Sequence, residues 1–242
     1  MLRGRGRLAL GMTGDDRRRE QARRGLEAWA GFPADREPRP LVLLGPAARP
    51  GGFPDGQTKM AFLRGAVQAA PGFPAAVLQA MRQEPAGYAG PPLRLTTATL
   101  GTAEFATDRG RQELPAWQVR ARHVPEPMWV LDPAIIELTW QPPEPAPVGW
   151  QGSAATLDPG GCTLTMAFTG SPHVSYPDVD VLESGAAVAV LPVPSQLAPG
   201  WYTTVGQRRE VTVTLDRPLG ARVLLDGRGS PVMVTTGQPG TD

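Results

Sequence analysis

The densest gathering of reactive side chains lies in the second half of the chain. There His173-Val-Ser-Tyr-Pro-Asp178-Val-Asp180-Val-Leu-Glu183 sets one imidazole and three carboxylates within eleven residues. Strand alternation puts Asp178 and Asp180 on one face, near enough to chelate a divalent cation. A single imidazole and the lack of any calcium-loop spacing argue against that use. The same residues read as the polar outer face of a half-buried strand, with Glu183-Ser184 making a turn. The second histidine, His123, stands between Arg122 and Pro125 at a strand end and reads as an exposed loop residue.

Other catalytic signatures fail on their own chemistry. No Gly-x-Ser-x-Gly elbow occurs, which disfavours an ordinary α/β-hydrolase. The Gly/Pro loop at residues 45–56 follows a short apolar run, as a phosphate loop would. The lysine beyond it, Lys59, is displaced from the required Gly-Lys-Ser/Thr position, and the loop prolines remove amides that would cradle phosphate. Cys162, the one cysteine, excludes an intrachain disulfide and every multi-cysteine metal motif, and reads as a small buried residue on a strand. The residues therefore yield no catalytic, cofactor-binding or metal-ligating set. An enzyme would have to draw on scattered groups such as Glu104, Asp132, His173 and Asp180. Trp117, Trp129 and Trp140 alternate with apolar neighbours and read as core, whereas Trp150 and Trp201-Tyr202 fall on expected loops and are the better interface candidates.

The elements that would carry these groups are short. Of 242 residues, 29 are Gly and 28 are Pro, which excludes a long helical bundle or coiled coil. Net charge is +1, with no global case for nucleic acid or membrane. Residues 1–24 nevertheless hold eight arginines against three acids, a basic arm without the aromatics that stack on bases. No run approaches the ~18 apolar residues of a membrane span. The apolar stretch Leu8 to Leu10 is too short for a secretory signal, so a cytoplasmic protein is expected, with Met12 an alternative start and export the alternative if the N-terminus is misassigned.

Residues 14–30 predict a helix: Thr13 caps it, Asp15 and Asp16 suit its dipole, and Ala22, Leu26 and Trp29 share a face, with Trp29 as anchor. Gly25 inside it costs about 1 kcal/mol relative to Ala. Residues 41–44 predict a buried strand, and 57–70 and 74–83 two helices covering a sheet. The period then changes to two. Strands are expected over 93–107, with a bulge at Gly101, then over 114–122, 128–131 and 135–140. Residues 141–149 hold four prolines and form a semi-rigid linker. Beyond it, alternation continues around Leu164, Val179, Val190, Val211, Val223 and Val234, the last three strands forming a meander.

Heavy use of Arg, with 23 against one Lys, and of Ala, Gly and Pro resembles proteins of high-GC bacteria such as actinobacteria. Asp108-Arg-Gly110, Leu114-Pro-Ala-Trp117, Trp129-Val-Leu-Asp132, Tyr176, Glu183-Ser184, Ala187-Val-Ala-Val190, Val211-Thr-Val-Thr-Leu215 and Pro218-Leu-Gly220 carry a further likeness. Over residues 93–236 the chain resembles an uncharacterised family of β-rich actinobacterial proteins, many exported or lipid-anchored. That resemblance implies a fold and no reaction. A cysteine pair that often staples the second half of such proteins is missing here.

The expected architecture is α+β and β-dominated: an N-terminal arm (1–39), a region of helices on an antiparallel sheet (40–140), the linker (141–149), and a smaller all-β sandwich-like module (150–237). The expected function is a non-enzymatic binding or scaffolding protein with an unknown protein or small-molecule partner. The alternative is an enzyme or metal-binding protein using residues around His173.

Overall fold

The apolar stripe and acidic first turn of the N-terminal segment form a helix, α1, over Gly14–Ala28. A computed structural model describes residues 14–82, 88–143, 153–195 and 206–237; the expected Thr13 cap, Trp150, Trp201, Tyr202 and most of the proline linker lie outside these. The architecture is α+β and β-dominated. The chain divides into two units, one combining Met1–Arg39 with Gln141–Asp242 and the other comprising Pro40–Trp140.

In the Pro40–Trp140 unit the elements are β1 (Ala48–Arg49), α2 (Gly56–Leu63), β2 (Val67–Ala69), α3 (Ala75–Met81), β3 (Leu93–Thr107), β4 (Gly110–Ala121), β5 (Met128–Leu131) and α4 (Pro133–Ile136). They build one sheet in the order β1-β5-β4-β3-β2, antiparallel except where β2 runs parallel to β3. Ala61 of α2 and Val77 and Met81 of α3 pack with Leu93, Leu95, Val119 and Val130 on one face. Phe105, Ala116 and Leu131 form the opposite core, flanked by Leu43, Ala47 and the α4 isoleucines.

Several sequence expectations change here. The helix expected over 57–70 stops at Leu63, because Gly65 turns the backbone at φ 60° and Val67–Ala69 then pairs with β3. The strand expected over 135–140 begins instead as α4. Asp132 caps it, accepting from Ala134 N at 2.9 Å, and Pro133 occupies the first turn, where its missing N–H costs nothing. Residues 41–44 make isolated bridges, Leu41 to Thr139 and Leu43 to Thr107, rather than a strand. Gly101 is no bulge; the register shift falls between Leu95 and Thr97, and Gly101 faces the Trp129 ring.

The other unit contains α1, β6 (Ala154–Leu157), β7 (Thr163–Gly170), β8 (Asp178–Glu183), β9 (Ala187–Val193), β10 (Gln207–Thr214), β11 (Val223–Leu225) and β12 (Met233–Thr236). Two sheets form, β10-β7-β6-β12 and β11-β9-β8. Leu164, Met166 and Phe168 of β7 and Val211 and Val213 of β10 meet Val188 and Val190 of β9 in one core. The last three strands are not a meander. β10 pairs with β7, while β11 and β12 add parallel to β9 and β6 in different sheets. Cys162, half-buried, lies just before β7 rather than within a strand.

Strand β9 is buried on both faces, and its second face accounts for α1. With Val188 and Val190 in the core between the sheets, alternation turns Ala187 and Ala189 the other way. There α1 lies on β9 and β8, with its Ala22 and Gly25 buried, as is Trp29 just beyond its end. A Cβ on Gly25 would stand 2.6 Å from the Cα of Gly229, itself at φ 84°. The glycine that weakens the isolated helix is what lets it seat. Gly25→Ala is therefore expected to lower stability by about 1–3 kcal/mol through overpacking, outweighing the ~1 kcal/mol of helix propensity gained. Urea unfolding checks the sign, and a stabilised variant would contradict the seating.

Candidate functional site

The acidic strand is β8, and two of its three carboxylates, Asp180 and Glu183, are engaged by arginines. Val179 and Val181 turn toward the core, so Asp178 and Asp180 lie on the face toward α1. Arg19 of α1 grips Asp180 with both Nε and Nη2, at 2.8 and 2.7 Å. That bidentate hydrogen bond holds the Asp180 carboxyl below the ordinary aspartate value. Glu183 accepts from Asp216 N at 2.8 Å and from the Arg222 guanidinium. Burial works to raise the Glu183 carboxyl, but these hydrogen bonds outweigh it and hold it low. His173 sits on an exposed turn, its amide donating to Ser171 Oγ at 3.3 Å. Among the described residues no cluster of three or more His, Cys, Asp or Glu side chains could hold a metal ion.

The scattered acid–base residues are equally occupied. Glu104 pairs with Arg111 at 2.7 Å, and Asp132 caps α4 while accepting from Trp117 Nε1 at 3.0 Å. Trp117, Trp129 and Trp140, expected as core, are half-buried.

Two surfaces of the Pro40–Trp140 unit are left open among its described residues. The first is the outer edge of β3. At one end β2 pairs with Leu93 to Leu95; at the other Ala106 O accepts from Leu44 N at 2.9 Å, and Glu104 O accepts from the Arg49 guanidinium. Backbone polar groups alternate sides along a strand, so Thr102, Leu100 and Ala98 direct theirs to this same edge. Among the described residues no strand pairs with it between Thr97 and Ala103. The run Thr-Ala-Thr-Leu-Gly-Thr-Ala carries no charge and no proline. Leu100 is 56% exposed and pairs across the ladder with half-buried Trp117. The strand was legible in the sequence; its open edge was not, since alternation reports faces and not neighbours.

The second is a surface cleft of about 420 Å³ whose lining includes Asp55, Thr58, Pro91, Arg94, Arg122 and His123. Asp55 caps α2, its Oδ1 accepting from Thr58 N at 2.7 Å and its Oδ2 from Thr58 Oγ1 at 3.1 Å. The backbone bond from Thr58 is the main reason that its carboxyl lies below the ordinary aspartate value. His123 is exposed, as expected from the sequence, and holds the left-handed φ of 63°.

The fold and these surfaces define a β-dominated, two-unit α+β protein. No helix among the described residues is long and apolar enough to cross a membrane. No family model, curated protein or solved structure matches the chain.

Proposed function

We propose that the protein is a non-catalytic binding protein that takes an extended segment of a partner polypeptide as an added strand along β3. The observation that supports this reading is the uncharged edge from Thr97 to Ala103, whose outward backbone groups have no partner strand among the described residues. Exposed strand edges are usually blunted by lysine, proline, bulges or covering elements, because they template pairing with another chain. Here the one bulge lies before the open run, at Leu95/Thr97. An added strand gains main-chain hydrogen bonds from the edge and side-chain selectivity from Leu100 and Trp117 beside it. A chain with one cysteine suits the reducing cytoplasm as its working compartment.

Leu100→Pro provides the test. It removes one outward N–H and leaves the β3–β4 ladder intact, since edge positions accept proline. A displayed peptide library is selected on the full chain, with the variant as counter-selection. The expected binders are extended, with alternating apolar residues, and they protect the amides of Ala98, Leu100 and Thr102 from hydrogen exchange. Peptides that bind wild type and the variant alike, or protection confined to other elements, would refute the reading.

A further inference from the structure

Gly101 stands in the middle of the open β3 edge, and nothing in the fold calls for a glycine there. It lies outside the bulge at Leu95/Thr97 and does not take the positive φ of Gly65 or Gly110. Within 4 Å, a Cβ at this position would meet only the Trp129 ring, at 3.8 and 3.9 Å, which is ordinary contact. A glycine inside a strand weakens it, and often marks a place where another backbone or a ligand comes close. What the missing side chain leaves bare is the tip of the Trp129 indole. Trp129 belongs to β5, and β4 separates β5 from β3, so the ring reaches across β4 to the open edge. There Gly101 is exposed and the indole is half-buried. The ladder partners of Thr99, Gly101 and Ala103 are Gln118, Ala116 and Leu114, none of them charged. Beyond Ala103 the Arg49 guanidinium is taken up by Glu104 O and the Phe105 ring.

The window itself is short. β2 pairs with Leu93 to Leu95, while Leu44 N and Arg49 hold Ala106 O and Glu104 O. Residues 97–103 remain, about 23 Å of edge. A second copy's β3, fifteen residues long, would drive its ends into these flanks if it paired over the window. The occupant that fits is a short segment of a different chain.

We propose that the partner segment carries an aromatic residue opposite Gly101, its ring laid over the glycine against the Trp129 indole. The proposal rests on the strand-addition reading and names the side chain that the edge selects. The N–H and C=O of Gly101 face β4, so in an antiparallel addition it takes the non-hydrogen-bonded position, where facing side chains approach most closely. An aromatic ring there shields an edge glycine and meets the indole in the tilted or offset contacts that aromatic pairs prefer. A small residue would leave the indole edge wet, and a charged one would find no counter-ion among the ladder partners.

The probe is a displayed library of segments about seven residues long between Gly-Ser spacers, selected in parallel on full-length wild type, Leu100→Pro and Gly101→Val. Segments bound by wild type and lost on Leu100→Pro are edge binders. They are expected to carry Trp, Tyr or Phe at one fixed position and to shift the Trp129 indole N–H resonance. They should weaken by about tenfold on Gly101→Val, whose side chain takes the place of the ring. Gly101→Ala adds a Cβ in ordinary contact with Trp129, so it should fold as wild type does and weaken the same segments by less, which keeps a readout if the valine variant misfolds. Edge binders with no aromatic preference, an unmoved Trp129 resonance, or equal affinity for wild type and both Gly101 variants would overturn the aromatic slot and leave strand addition standing. A library with no Leu100-dependent binder would overturn both.

Discussion

Replacing Arg222 with Ala is expected to lower the free energy of unfolding by about 3 kcal/mol or more. The guanidinium side chain is 6% exposed and its partner Glu183 is 14% exposed. Besides Glu183, it donates through Nη2 to the carbonyls of Arg217 and Pro218 at 2.8 and 3.0 Å, and through Nε to Leu219 O at 3.3 Å. The Arg217–Gly220 turn is therefore wound around one cation. Removing that cation leaves a nearly buried carboxylate without its guanidinium and takes this donor from the Arg217 and Pro218 carbonyls, while Leu219 O keeps the backbone N–H of residue 222. A buried charge that loses its partner costs far more than the intact pair contributes.

The acid dependence of this effect follows from the Glu183 carboxyl, which lies below its unfolded value in the intact protein. A depressed carboxyl contributes stability present above the ordinary glutamate value of about 4.3 and lost as pH falls through its folded value. Without Arg222, burial opposes only the Asp216 amide and the Arg217 charge, so the carboxyl is held down less and acid costs the variant less than it costs wild type. The difference between wild type and Arg222→Ala should thus shrink between pH 7 and pH 3.5, as read by urea unfolding at both. A difference that stays constant or grows on acidification would show that Arg222 acts through packing rather than through Glu183.

Trp29→Ala should cost about 3–5 kcal/mol, the range for truncating a fully buried tryptophan. Trp29 is 1% exposed, its ring stands 6.1 Å from that of Phe32, and its Nε1 donates to Gly229 O at 3.2 Å. The accepting turn is rigid: Asp226 Oδ1 accepts from the amides of Arg228 and Ser230 at 2.9 and 3.0 Å. Trp29→Phe keeps much of the buried area but loses the hydrogen bond and part of the ring volume, so it should cost less than the Ala variant, about 1–3 kcal/mol. Because α1 covers one face of β9, the Ala variant should also speed amide exchange in β9 before the other sheet responds. Uniform loss of protection across both sheets would mean that α1 and β9 open only with global unfolding.

Much of the scaffold was legible because burial has a period. The stripe of α1, the Trp29 anchor, the α3 face through Val77 and Met81, and the inward side chains of β7, β9 and β10 follow from apolar spacing alone. Boundaries set by turn chemistry were readable but easily misjudged. Asp132-Pro133 is a helix-start signal, yet the apolar run that follows it has a strand-like composition. Among the surfaces, the exposed His123 was visible in the sequence, while the cleft around it joins residues from α2, β3 and the end of β4.

What the residue order determined by itself is which side chains leave water, since that depends on neighbours three or two positions away. Which strands pair, and which charges meet, was decided only in three dimensions. Arg19 finds Asp180 from 161 positions away, and β12 lies parallel to β6 although the two are separated by most of the unit. Gly25 makes the division plainest: along the chain it is a helix-weakening residue, and against Gly229 it is the residue that fits. Local periodicity carries no information about the surface that will press on a given face, and that surface sets both the packing cost and the partner of every buried charge.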